Sequence, residues 1–243
     1  LIWKDGMTLW SDNLKKSPDS SIIHNELGIV YTNKGNFKKA ISAYKQAIEL
    51  NPEYSNAYNN LGNRYDGMGE TDKAISAYKQ AIELNPKYST AYYNLGVLYA
   101  RMENFHEAIS AYKKAVEIDP EYSEAYNHLG IVYSTTGYTD KAIEFYEKVL
   151  TIDPEYSEVY NNLAFVYSTQ NRFDIVKRYF NIFQNINNDK ISTRIALGNL
   201  YNDIGKKDKA ILFFEKALKL NPKNTEVKNK INMIYKKQAL SNY

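Results

Sequence analysis

From residue 21 to residue 224 the apolar and small residues recur with a period of 34. Each period holds two runs. In the first, Leu27, Gly28 and Tyr31 stand at helical spacing, and in the second so do Ala40, Tyr44 and Ala47. Residues three and four apart share one face of an α-helix, so each period predicts two amphipathic helices, A and then B. Counting from Ser21 gives six units. Position 7 is Leu27, Leu61, Leu95, Leu129, Leu163 and Leu197, position 8 is Gly except at Ala164, and position 11 is Tyr throughout. In helix B, positions 20, 24 and 27 read Ala-Tyr-Ala in the first three units, small residues for close approach beside one bulky ring.

The boundaries are equally periodic. Pro18, Pro52, Pro86, Pro120, Pro154 and Pro222 fall on one 34-residue grid, whose single gap is Asn188. Proline lacks an N–H and disfavours helical geometry in the residue before it, so each marks the end of a helix B. The serines at position 1, Ser21, Ser55, Ser89, Ser123 and Ser157, are expected to cap the helix A that follows. Gly35, Gly69, Gly137 and Gly205 at position 15 predict the left-handed residue between A and B, with Asn171 and Glu103 as exceptions.

These columns resemble the tetratricopeptide repeat. The resemblance implies an all-α, right-handed superhelical solenoid of antiparallel helix hairpins, with a partial repeat over 1–20 (second helix only), six repeats over 21–224 and a capping helix over 225–243. A single hairpin cannot bury both of its apolar faces, whereas stacked hairpins cover each other. Unit five breaks the pattern, with Val176 and Phe183 at the small positions 20 and 27 and Ile191 opening the next unit. Larger residues there are expected to push helices apart and change the local curvature, presenting Phe183 or Ile186 to a partner.

Composition narrows the chemistry. Without Cys there is no disulfide, thiolate nucleophile or cysteine-ligated zinc. No apolar run approaches the roughly 18 residues that span a bilayer. His24, His106 and His128 lack metal-site spacing, and Gly67-Met68-Gly69 is a hairpin turn rather than a phosphate loop. Nineteen of the 23 tyrosines sit at positions 4, 11, 24 or 34, which assigns them to packing. No catalytic residue, metal or cofactor is expected. The net charge of +3 is too small to imply nucleic acid as a partner, although residues 204–243 carry +7 and the rest −4.

The candidate site lies on helix A. By the resemblance, positions 2, 5, 6, 9, 12 and 13 line a concave groove that takes a protein or peptide. Position 5 reads Asn25, Asn59, Tyr93, Asn127 and Asn161 in units one to five, position 6 reads Asn60, Asn94, His128 and Asn162 in units two to five, and Asn63 stands at position 9. An amide side chain pairs with both the C=O and the N–H of an extended peptide. This looks like the asparagine ladder in the repeat region of O-GlcNAc transferase, and it leads to the expectation that Asn60→Ala with Asn94→Ala weakens binding at little cost in stability. No unit carries the basic pair at positions 2 and 6 that grips acidic carboxylate ends in other members of the family. The opening residues are also similar to the junction where repeats begin in bacterial membrane proteins related to protein mannosyltransferases. That likeness, with a start at Leu1, implies a piece of a longer chain, in which the repeats would be an extracytoplasmic, substrate-recruiting domain and membrane contact would come only through other parts. A self-assembly module forming a homo-oligomer is the further alternative.

Overall fold

The computed structural model describes residues 6–186 and 190–240, which form fourteen α-helices and no strand. Six A helices are α2 (Ser21–Asn33), α4 (Ser55–Gly67), α6 (Ser89–Arg101), α8 (Ser123–Thr135), α10 (Ser157–Thr169) and α12 (Lys190–Asp203). Their B partners are α3 (Phe37–Leu50), α5 (Thr71–Leu84), α7 (Phe105–Ile118), α9 (Thr139–Ile152), α11 (Phe173–Asn185) and α13 (Lys207–Leu220). Before them lies α1 (Gly6–Lys16) and after them α14 (Thr225–Leu240). Two compact units divide the chain, Leu1–Ala125 and Tyr126–Tyr243. In the first, α2, α4 and α6 pair with α3, α5 and α7, while α3 packs on α4 and α5 on α6. In the second, α10 pairs with α11 and α12 with α13, while α14 covers α13.

The turns explain the period. Position 15 is left-handed in all six units, at Gly35, Gly69, Gly137 and Gly205 but also at Glu103 and Asn171, both with φ of 59°. The next N–H then returns to the carbonyl of the position-11 tyrosine, as from Asn36 to Tyr31 at 2.8 Å and from Asn104 to Tyr99 at 2.9 Å. An L-residue held left-handed costs roughly 1–2 kcal/mol. Glu103→Gly is therefore expected to stabilise the protein by about 1 kcal/mol, net of the extra chain entropy glycine brings. A urea midpoint that falls instead, at constant slope, would refute this.

At the far end of the unit the proline is not alone. The side chains of Asn51, Asn85, Asp119, Asp153 and Asn221, each one residue before a proline, accept the N–H two residues on at 2.9–3.2 Å. The expected serine caps are displaced by one residue. Ser55, Ser89 and Ser157 are first helical residues, and the caps are Tyr54, Tyr88 and Tyr156, which make no side-chain capping bond. The turn before the proline already fixes the chain's entry into helix A.

The core is built from one contact. A Cβ placed on Gly28, Gly62, Gly96, Gly130 or Gly198 would come within 2.4–2.7 Å of the ring at position 24, respectively Tyr44, Tyr78, Tyr112, Tyr146 and Phe214. Those rings are all buried. Unit five has Ala164 in place of the glycine, and its position-24 ring, Phe180, is 51% exposed. Helix α11 buries Ile175, Tyr179 and Ile182 instead, one residue earlier than the face used by α3, α5 and α7. One residue is about 100° of helix rotation. The alanine methyl blocks the ring, Val176 stands where every other unit has a fully buried alanine and Phe183 where the others have a buried alanine or Val149, and rotation resolves both conflicts. The expectation that Phe183 or Ile186 is presented is thus corrected: Phe183 is half-buried, Ile186 is 4% exposed, and Phe180 takes the outward place.

Candidate functional site

The asparagines of helix A form a ladder between repeats. Asn60 Nδ2 donates to Asn25 Oδ1 at 3.0 Å, Asn94 Nδ2 to Asn59 Oδ1 at 3.0 Å, and Asn162 Nδ2 to Asn127 Oδ1 at 3.0 Å. The donor is always at position 6, and the acceptor at position 5 of the preceding unit. Two features extend it. Asn94 Nδ2 also donates to Asn63 Oδ1 at 3.1 Å, and that oxygen accepts from the Tyr78 hydroxyl at 2.7 Å. In the second compact unit Asn127 Nδ2 donates to Glu158 Oε1 at 3.1 Å. Burial pushes the Tyr78 phenol well above its ordinary range, so it stays a donor at any ordinary pH.

This geometry places three of the ten candidates away from a ligand's reach. Asn25, Asn59 and Asn127 are buried at 3%, 3% and 1% exposure, beneath the surface rather than on it. At Asn25, Asn59 and Asn127 position 5 packs against the next A helix, which is why the next repeat's amide reaches it. Asn60, Asn63, Asn94, Asn162 and His128 are half-buried, and Asn161 is exposed. Tyr93 packs against the Tyr112 and Tyr122 rings, with centroids 5.9 and 5.1 Å away. Ile22, Asn56, Glu124 and Glu158 at position 2 are exposed, as are Gly67 and Arg101 at position 13. Arg101 is ion-paired to Asp66 of the preceding A helix.

A second polar cluster had little forewarning in the sequence. Glu147 of α9, 1% exposed, accepts from Lys206 Nζ at 2.6 Å and Lys209 Nζ at 2.5 Å, joining α9 to the start of α13 past the hairpin between them. Its position is exposed Lys in units one to three, so only the change of sign at Glu147 hinted at a different role. The cluster borders an open cavity of about 440 Å³ that also meets Asp140, Glu144 and Arg172. Its charges are mutually compensated, and the cluster links helices. Among the described residues no group of His, Asp and Glu gathers as a metal site, and no helix is long and apolar enough to cross a membrane.

Hairpins of constant length, stacked ring-on-glycine and tied by an amide ladder, define a helical repeat protein. Family models described as tetratricopeptide or TPR repeats match residues 28–69, 62–103, 88–155, 145–176 and 193–224. A crystal structure of MamA is similar at 31% identity, with 68% of this chain and 96% of that one covered and a TM-score of 0.62. The chain belongs to the tetratricopeptide repeat family, whose fold is generally a non-catalytic scaffold for protein interaction. Two structures of lower identity show the fold alone. YrrB, described as a TPR protein with an unusual peptide-binding site, is 17% identical, with 91% of this chain and 96% of that one covered and a TM-score of 0.57. The pilF protein of Pseudomonas aeruginosa is 19% identical, with 86% and 95% covered and a TM-score of 0.64. No match was found among curated proteins.

Proposed function

We propose that the chain is a protein-interaction scaffold that holds an extended segment of a partner along the A-helix face of its first compact unit. The observation that carries this reading is the ladder. It fixes Asn60 and Asn94 in one orientation on neighbouring A helices, with exposed polar residues beside them and, among the described residues, no donor to their Oδ1 atoms. Adjacent helices pack about 8–10 Å apart and an extended chain rises about 3.3 Å per residue, so one ladder residue meets every third ligand residue. Pre-set side chains of this kind lower the ordering cost of binding.

Gly67 offers a clean test. It is exposed at the end of α4, and a Cβ there would meet nothing within 4 Å. Asn56→Arg with Gly67→Arg therefore puts two large side chains on the face without disturbing the core. Partner proteins captured by the wild type and identified by mass spectrometry are expected to be lost from this variant, and kept by Lys45→Ala with Lys79→Ala on the exposed face of the B helices. Equal capture by both variants would remove the reading. Light scattering across concentration separates capture of a partner from association with a second copy.

A further inference from the structure

Asparagine was expected to offer a ligand both a donor and an acceptor, but the ladder spends the two unequally. Every rung runs the same way, from the position-6 amide inward to a buried position-5 oxygen. Asn94 Nδ2 makes two internal bonds, to Asn59 and Asn63. The Oδ1 atoms of Asn60 and Asn94 accept from no group among the described residues, and neither is a buried atom lacking a partner, so both meet solvent. In the first unit position 6 is Glu26, whose carboxylate, among the described residues, takes a 3.4 Å bond from Asn25 Nδ2. The acceptors left over at position 6 across α2, α4 and α6 are thus oxygens, and the donors beside them are one N–H of Asn60 and the amide of Asn63.

Charge runs in the same direction. Helices α2, α4 and α6 contain no Lys; Arg101 is paired with Asp66, and the charge of Arg64, which lies over the Phe37 ring at 5.5 Å, is offset in the sum by that of Glu26. His24 is tied to the Pro18 carbonyl at 2.9 Å. Exposed Glu124 adds a carboxylate at position 2 of the next A helix within the same compact unit. The exposed lysines of this unit lie elsewhere, Lys38, Lys39, Lys45, Lys73, Lys79, Lys113 and Lys114 among them on the B helices. We propose that the A-helix face of residues 21–125 is an acceptor strip that selects an extended segment by its N–H donors, a Lys- or Arg-bearing stretch whose backbone amides face Asn60 and Asn94. This rests on the scaffold reading above and gives it a ligand class.

The test uses fluorescence anisotropy with the full chain and three short synthetic probes: a peptide alternating Lys with Thr, one alternating Glu with Thr, and the Lys peptide N-methylated at every other backbone nitrogen. The Lys peptide is expected to bind about tenfold or more tighter than the Glu peptide at low salt, where surface charges act over roughly 10 Å or more. N-methylation should weaken it several-fold, since a methyl removes the donor the oxygens need. Glu26→Gln should weaken it a few-fold at low salt only. Equal or tighter binding of the Glu peptide, blocked by Gly67→Arg, would overturn the acceptor strip and leave the scaffold reading standing. Indifference to N-methylation would overturn it too, reducing the preference to charge alone. If no probe binds, or if Gly67→Arg changes nothing, the scaffold reading falls with it.

Discussion

Gly62→Ala is expected to lower the stability of the protein by about 1–3 kcal/mol, the usual cost of forcing extra volume into a packed core. On helix propensity alone the same change should gain roughly 1 kcal/mol, because alanine is the best helix former and glycine one of the worst. The two effects oppose each other, and the contact decides. A Cβ on Gly62 would stand 2.7 Å from Tyr78 Cε1 and 2.8 Å from its Cδ1, and that ring is 1% exposed. A buried ring held by its hydroxyl bond to Asn63 has no free space to yield. Gly67→Ala, in the same helix with nothing within 4 Å, is the control and should stabilise by up to about 1 kcal/mol. Coupling gives a second check. Tyr78→Ala should cost less in the Gly62→Ala background than in the wild type, by an interaction of about 0.5–3 kcal/mol. If Gly62→Ala behaves like Gly67→Ala in urea unfolding, ring-on-glycine packing does not hold the hairpins.

Unit five shows the same rule from the other side. Where Ala164 supplies the methyl, Phe180 leaves the core and α11 turns to bury Ile175, Tyr179 and Ile182. In sequence, Ala164 and Phe180 are sixteen residues apart and each is unremarkable alone. Their link is a distance between two helices, which no periodicity contains. Bulk at Val176 and Phe183 was visible and correctly pointed to a disturbance, but bulk alone does not say whether helices separate or rotate. The regular parts were legible because local chemistry fixes them. Proline ends helix B, the left-handed position 15 ends helix A, and the apolar columns name the seam. Even Glu103 and Asn171, exceptions by residue type, keep the backbone of the glycines they replace, since the position-16 N–H still needs the position-11 carbonyl.

The site was legible as a column, but the depth of its members was not. Positions 5 and 6 are neighbours in sequence, and 100° of rotation separates them on the helix. One therefore points into the seam with the next A helix while the other stays at its edge. Counting asparagines could not distinguish a row of ligands from a row of internal bonds. The ladder is both, with buried oxygens at position 5 and solvent-facing oxygens at position 6. The Glu147 cluster was invisible for a different reason: its partners lie 59 and 62 residues away, and lysine on a helical repeat is ordinarily a solvated residue.

The ladder changes what one pair of substitutions should cost. Asn60→Ala with Asn94→Ala was expected to weaken binding at little cost in stability, yet it should destabilise the protein by about 2–4 kcal/mol. Removing the Asn60 amide leaves Asn25 Oδ1 without its donor at 3% exposure, and removing that of Asn94 does the same to Asn59 Oδ1, also 3% exposed. A buried acceptor stripped of its partner costs about 1–3 kcal/mol, because the water it lost on folding is not returned. Asn63 Oδ1 escapes this cost through the Tyr78 hydroxyl. Asn161→Ala is the control, an exposed asparagine in the same column, and should change stability by less than about 0.5 kcal/mol. Deleting both partners supplies the decisive comparison. Asn25→Ala in the Asn60→Ala background should recover part of the loss, since no orphaned oxygen then remains. If Asn60→Ala is as silent in urea as Asn161→Ala, the inward bonds contribute nothing and the outward oxygens lose the orientation that binding requires. If it destabilises as expected, loss of partner capture in the double variant no longer reports on the surface by itself, and Gly67, which touches nothing, becomes the position from which the face is tested.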